Sequence, residues 1–337
     1  MPPLDHSADL PVSLIIPTVH HRAAFFARTL RHLNDGGFRC PIIVSDHSPD
    51  EHVGVIADIA RRESNLDLTI LQHSPNAHFL TRLCLCVSEA RTPYVHLHAD
   101  DDFLVRMGLE RLIREMNERR DLTAAMGLNL HVAFADRDVT VGPKIAIERS
   151  APFDRLIAQL ETYSSVLYAL RRKDEFLASL SFAVARCPDV QFWQYLESCM
   201  AALAGPLRVI DELHYVREVH QAKWSATLVR EKSYDHFPYL VLSPEFQPRL
   251  AAFRAALVDA CGAQGISVDE AALDAGLVHL LYRGLGVMGL PAKRMSTPGT
   301  TESAAARLEA KFTDPANPAT VELNRIFTLA KGEAGTL

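Results

Sequence analysis

No stretch of this sequence is apolar for the roughly 20 residues that a helix needs to cross a bilayer. The opening Met-Pro-Pro-Leu-Asp-His has no basic region ahead of an apolar core, so no secretory signal is expected. The six cysteines, Cys40, Cys84, Cys86, Cys187, Cys199 and Cys261, include no CxxC pair and no zinc spacing. Reduced, buried thiols in a cytoplasmic protein follow, with peripheral contact at a membrane left open. Basic residues are in the minority: 35 Lys and Arg stand against 41 Asp and Glu, a formal net charge of −6. Binding a phosphate backbone wants a basic face, so nucleic acid is not the expected partner. Arg61-Arg62, Arg119-Arg120 and Arg171-Arg172-Lys173 read as solvated helix ends or turns. There is no internal repeat and no low-complexity tract.

What is present is an ordinary globular composition, 48% apolar and 23% charged. At 337 residues the chain suffices for one large α/β domain with an appendage, or for two modest domains. In the first half, short apolar runs alternate with helical periodicity. Strands are predicted at Val12–Ile16, Pro41–Ser45, Leu68–Leu71, Pro93–His98 and Thr123–Phe134. Helices are predicted at Ala23–Leu33, Asp50–Arg62, Phe79–Ala90 and Val105–Arg119. This alternation means βαβ units and a mainly parallel sheet flanked by helices. The second half is less regular. A strand is predicted at Tyr163–Arg171, helices at Lys173–Leu180 and Val190–Leu203, and an extended run at Leu207–Val216. From Ser243 on the pattern is helical: Gln247–Cys261, Asp269–Leu285, Ser303–Phe312 and Ala319–Leu329.

Ligands of such sheets bind beyond the carboxyl ends of the strands. The informative residues are therefore Pro17-Thr18, Asp46-His47-Ser48 and Ala99 to Phe103. Asp100, Asp101 and Asp102 follow a buried strand directly, and three adjacent carboxylates repel one another unless a cation or hydrogen-bond donors compensate. Hard oxygen ligands suit Mg²⁺ or Mn²⁺ held between carboxylates and substrate phosphates. An acidic loop capping the next helix would use the same residues.

These three strand ends, in this order, resemble the family 2-type glycosyltransferases with the GT-A fold, a Rossmann-like α/β architecture. Val12 to Thr18 resembles their opening strand, Ile42 to Asp46 their second, and Thr92 to Val95 with Ala99 to Phe103 their strand and DXD motif. The resemblance covers about the first 130 residues and extends more loosely to about Trp224; the last hundred match nothing recognisable. It implies a GT-A domain over 1–235, with a nucleotide half at about 10–135 and an acceptor half at about 136–235. A helical C-terminal region over 236–337 would follow. It also implies metal-dependent transfer of a sugar from a nucleoside diphosphate sugar, with inversion, to a carbohydrate, lipid-linked or small-molecule hydroxyl.

By the same resemblance, Asp102 is the direct Mn²⁺ or Mg²⁺ ligand and His220 a second one. Asp100 faces the donor ribose or sugar, Asp101 belongs to the donor site and could point either to the donor or to the metal, Asp46 holds the base, Pro17 and Thr18 line the donor turn, and Arg82 faces the donor. Trp224 is a candidate cover for a sugar ring. His96 and His98 alternate on a strand and share a face; they read as packed histidines held by hydrogen bonds. The Glu-Asp pair that relatives carry on the acceptor-facing helix is absent, Phe192-Trp193-Gln194-Tyr195 standing there instead. Glu197 and Asp189 are the candidate general bases, Glu197 preferred because a helix cap cannot explain an interior position. Two rivals remain. A nucleotidylyltransferase would carry a glycine-rich loop after the first strand, and residues 17–22 hold no glycine. A degenerate domain would bind a sugar nucleotide or a protein without turnover. The apolar helices at Ala271–Leu290 are a candidate homodimer surface.

Overall fold

The computed structural model describes residues 9–63, 65–134, 138–142, 145–189, 191–219, 243–287 and 317–333. His220, Trp224 and the helix expected at Ser303–Phe312 lie outside them.

Strands β1 (Val12–Thr18), β2 (Pro41–Asp46), β3 (Asp67–Gln72) and β4 (Tyr94–Leu97) alternate with helices α1 (Ala23–Asp35), α2 (Val55–Arg62) and α3 (Phe79–Glu89). Then come β5 (Phe103–Leu104), α4 (Arg106–Glu118), β6 (Ala124–Ala133), β7 (Asp138–Gly142), α5 (Pro152–Thr162), β8 (Leu170–Arg172), α6 (Lys173–Arg186), α7 (Trp193–Ala204) and β9 (Leu207–Glu218). Three further helices follow: α8 (Phe246–Ala263), α9 (Glu270–Val287) and α10 (Pro318–Glu333).

The strands form one mixed sheet in the order β3-β2-β1-β4-β8-β6-β9-β5, with β7 beside β6. It is parallel through β3, β2, β1 and β4, as the βαβ alternation demands. It turns antiparallel on both sides of β8, and β6 and β9 then pair in parallel. Pro17 sits inside β1 without harm, because β4 pairs with β1 only at Val12–Ile15. Beyond that point no ladder bond to β4 is lost for want of an N–H. The strand shows no in-out alternation: Val12, Leu14, Ile15 and Ile16 are all buried because helices cover both faces.

Three expectations need correction. The strand placed at Tyr163–Arg171 is only three residues long, Leu170–Arg172, and the unpredicted helix α5 precedes it. Pro152 opens α5, a position where the missing N–H costs nothing. The helix expected from Asp50 begins only at Val55, because Gly54 adopts φ 101° and separates a short 3₁₀ turn from α2.

One apolar core carries side chains from the first half, such as Ile15, Leu83 and Val95, together with Phe253 and Leu257 of α8 and Leu273 and Leu277 of α9. On another side, Ile326 and Ala330 of α10 pack with Phe103, Val105 and Leu130. The C-terminal helices therefore complete the core of the sheet. All six cysteines are free thiols, and only Cys84 is less than fully buried. Among the described residues, no helix is long and apolar enough to cross a membrane.

Candidate active site

The carboxyl ends of β1, β2 and β4 lie side by side, and Thr18 is the register partner of Asp46. Asp46 is buried, and its Oδ1 accepts from the Ser48 N–H at 2.9 Å and the Ser48 hydroxyl at 2.6 Å. This local turn shapes the chain as it leaves β2. The His47 Nδ1–H donates to the Thr18 carbonyl at 2.9 Å, which ties the two strand ends together.

The acidic loop is held by one face of α1. Arg28 donates to the Asp101 carbonyl at 3.1 Å, the Thr29 hydroxyl to the Asp100 carbonyl at 2.8 Å, and His32 Nε2 to the Leu104 carbonyl at 2.8 Å. Residues 28, 29 and 32 share a helix face at the usual three- and four-residue spacing. The Asp100 side chain accepts from the Thr18 hydroxyl at 2.7 Å and from Arg22 Nε at 2.7 and 2.9 Å. Arg22 Nη2 lies 2.6 Å from an oxygen of Asp100 and 2.6 Å from one of Asp101. Burial raises the Asp100 carboxyl above its usual range against the pull of Arg22.

Asp102 turns the other way. Only 2% exposed, it accepts from the Tyr215 hydroxyl and from the Glu218 N–H, both at 2.9 Å. Burial, and then the charge of Asp101, raises it to about 7. Arg28 in turn pairs with Glu218. Asp102 thus fastens the acidic loop to β9.

Arg82 lies in the first turn of α3 and is 5% exposed. Its Nε donates to the Ala77 carbonyl at 3.2 Å and its guanidinium lies 5.5 Å from the Phe79 ring, while Nη1 is buried with no hydrogen-bond partner among the described residues. Its charge, after burial, lowers both His47 and His73 at the ends of β2 and β3. The structure therefore brings Thr18, Asp46, Asp100 and Asp101 to one edge of the sheet, with Arg82 beside the β2 and β3 ends.

A divalent ion does not fit this donor set as it is arranged. Asp102, the expected direct ligand, has both carboxylate oxygens engaged beneath β9. The guanidinium of Arg22 spans Asp100 and Asp101. Among the described residues no three His, Cys, Asp or Glu side chains converge as a metal-holding group. His220 lies outside them.

Glu197 also departs from expectation. It is fully buried and paired with Arg171, which is 2% exposed. Arg171 pairs in register with Val95, near the start of β4, so the ion pair lies towards the amino end of that strand and away from Asp100. Glu197 is not placed to take a proton from an acceptor at the other edge. Asp189 precedes α7, where its Oδ1 accepts from the Gln191 and Phe192 N–H groups at 2.8 and 2.9 Å. It also pairs with Arg249 of α8, Nη2 donating at 2.8 Å. Burial would raise its carboxyl, but Arg249 and the two amides hold it below its usual value. Asp189→Ala is accordingly expected to lower stability by about 1.5–3 kcal/mol, the cost of losing hydrogen bonds to a charged group, and to leave turnover within a few-fold. Urea unfolding alongside steady-state rates checks this. A hundredfold slower enzyme of parental stability would mark Asp189 as a proton acceptor instead.

His96 and His98 are packed as expected, both fully buried, and burial pulls His96 down to about 4. The hydrogen bonds expected for them are only half present. His96 Nε2 meets His214 Nε2 at 3.3 Å, whereas neither ring nitrogen of His98 has a partner among the described residues. Sequence reasoning missed Arg22, Arg28 and Tyr215. Arg22 had a signal, since it follows Thr18 by four residues in the turn leaving the first strand. Tyr215 had none, because nothing local tells which strand returns beside the acidic loop.

The sequence matches no protein-family model and no curated protein. Solved structures do match. Residues 1–349 of S. aureus TarS in complex with UDP-GlcNAc align at 15% identity and TM-score 0.58, over 90% of this chain and 80% of that one. The same protein in complex with UDP aligns at 16% identity and TM-score 0.53, over 90% and 79%. A looser likeness, TM-score 0.47 at 16% identity over 91% and 88%, is to the mannosyltransferase PcManGT from Pyrobaculum calidifontis in complex with GDP-Man and Mn²⁺. The chain has the GT-A-type α/β fold, and the architecture implied by its strand-end motifs is the one observed.

Proposed function

We propose that this protein transfers a sugar from a nucleoside diphosphate sugar to a hydroxyl group of a carbohydrate, a lipid-linked glycan or a small molecule. The observation that carries this reading is the convergence of Thr18, Asp46, Asp100 and Asp101 at the ends of three adjacent parallel strands, in a fold whose solved example TarS has been captured with UDP-GlcNAc. Pro17 and Thr18 shape the donor turn, Asp46 accepts from the base or ribose, and Asp100 and Asp101 address the ribose or sugar. Arg82 is a buried cation with a donor that has no partner among the described residues, suited to an anionic or carbonyl-rich ligand. In the reaction the bond from the sugar's anomeric carbon to the diphosphate oxygen breaks, its electron pair leaving with the diphosphate. The acceptor oxygen forms the new bond and gives up its proton to water. Attack from the opposite face in one step gives inversion.

A catalytically silent domain that binds a sugar nucleotide is the second reading. It is favoured by one observation: the two carboxylates expected to serve as base are tied to Arg171 and to Arg249.

Calorimetric titration with a panel of nucleoside diphosphates and their sugars tests the donor site. Asp46→Asn keeps an acceptor for Ser48 but removes the charge, and is expected to weaken donor binding by about 1–3 kcal/mol. Equal affinity in variant and parent would contradict the assignment of Asp46. Tight binding with no sugar transferred to any class of acceptor would favour the silent domain.

A further inference from the structure

Resting on the reading of this crevice as a nucleotide-sugar site, we infer that Arg22 is its resident cation, so that a guanidinium and not a divalent metal ion meets the donor's diphosphate. Four features carry the inference. The first is position. Arg22 closes the short 3₁₀ turn that follows β1, and its Nη2 stands 2.6 Å from both Asp100 and Asp101. That is the space between carboxylates which a bridging ion would occupy.

The second is anchorage. Arg22 Nε bonds both oxygens of Asp100, and the Thr18 hydroxyl holds Oδ2 of the same carboxylate at 2.7 Å. Phe25 lies 5.1 Å beneath the guanidinium. Two carboxylates and a ring fix the charge in place before any ligand arrives, and a planar guanidinium with bidentate bonds is costly to displace. The third is access. The Arg22 side chain is 18% exposed, against 4% for Asp100 and 13% for Asp101, so the cation is the most open of the three. The fourth is charge balance. Adjacent carboxylates call for compensation, and Arg22, bonded to Asp100 and Asp101 together, supplies it from this chain, while Arg28 is shared between the Asp101 carbonyl and Glu218. Asp102, the carboxylate left over, is spent on holding β9.

An anionic diphosphate entering such a crevice meets the exposed edge of a fixed guanidinium. The same centre stabilises the charge that develops on the diphosphate as the sugar departs. Removing the guanidinium uncovers Asp100 and Asp101, which then become an oxygen pair open to a divalent ion. The residue therefore decides whether binding depends on metal.

The test is calorimetric titration of the full chain with UDP and with GDP, once in EDTA and once in Mn²⁺. The parent is expected to bind one of them with affinities that agree within about threefold in the two buffers. Arg22→Gln is expected to lose about tenfold or more in EDTA, and to regain part of it when Mn²⁺ is present. Arg22→Lys keeps a point charge and should retain metal-independent binding, weaker than the parent. Thermal unfolding of each variant controls for folding, and the parent and Arg22→Lys decide the matter should Arg22→Gln not fold. A parent that binds about tenfold more weakly in EDTA than in Mn²⁺ overturns the inference and leaves the proposed function standing. So does an Arg22→Gln variant that binds in EDTA as the parent does. A parent that binds neither nucleotide in either buffer overturns both.

Discussion

Glu197→Ala is expected to lower stability by about 3–5 kcal/mol, the usual result of leaving one member of a buried ion pair alone. Glu197 has no solvent exposure and Arg171 is 2% exposed, so water cannot replace the lost carboxylate. The guanidinium would keep a 3.3 Å bond to the Thr123 carbonyl and its place 5.0 Å from the Phe176 ring, and of the carboxylates only the charge of Glu175 would still act on it. Burial already pulls Arg171 down to about 10, against the charge of Glu175. Domains are stable by only about 5–15 kcal/mol in total, so this one change would remove a large share of the protein's stability. Replacing both partners by apolar side chains, as in Arg171→Met with Glu197→Leu, should recover most of the loss. Urea unfolding of the three proteins measures this directly. If Glu197→Ala instead unfolds like the parent and transfers sugar a hundredfold more slowly, the carboxylate is catalytic after all.

Gly108→Ala is expected to cost at least about 3 kcal/mol, the upper end of overpacking penalties, and to weaken donor binding with it. A methyl group on Gly108 would stand 2.1 Å from the Leu213 carbonyl oxygen and 2.5 Å from His214 Cα. Both are backbone atoms of β9, and no rotamer change relieves them. Gly127 of β6 faces the same strand in the same way, 2.2 Å from the Glu212 carbonyl, where the β6–β9 register shifts. The strand is therefore pinched between two glycines just before Tyr215 and Glu218, the residues that hold Asp102. Pushing α4 away displaces that hold. Gly262 is the control. It lies in α8 with nothing among the described residues within 4 Å of its would-be side chain, so Gly262→Ala should be neutral or stabilising by up to about 1 kcal/mol. Equal melting temperatures for the Gly108 variant and the parent would refute the close approach.

The parallel half of the sheet was legible because its signals are local. Apolar runs of four to six residues, separated by helices with one apolar stripe, leave little choice of topology. The strand ends then point to Thr18, Asp46 and Asp100 without any knowledge of long-range contacts. The failures lie where distant residues decide. Leu170–Arg172 is a strand only because β4 and β6 flank it, and nothing in Tyr163–Leu167 shows that the chain there has just left a helix. Glu197 looked available because an interior helical carboxylate has no capping role. Its partner lies 26 residues earlier on a strand, and a sequence pattern does not reveal which face of α7 meets it. Asp102 misled for the same reason: Tyr215 and Glu218, which occupy it, are more than a hundred residues away.

The return of α10 bears on how the protein is made. Ile326 and Ala330 share a cluster with Phe103 and Leu130, and the Arg106 N–H, at the start of α4, donates to Glu322 at 2.9 Å. Arg325 donates to the His32 carbonyl at 3.1 Å. During synthesis Phe103 leaves the ribosome some 220 residues ahead of Ile326, a delay of roughly 10–45 s at ordinary elongation rates. Throughout that interval the apolar side of β5 and β6 has no cover from α10. The nascent chain therefore carries an uncovered apolar surface during this window, and slower codons late in the message would lengthen its exposure.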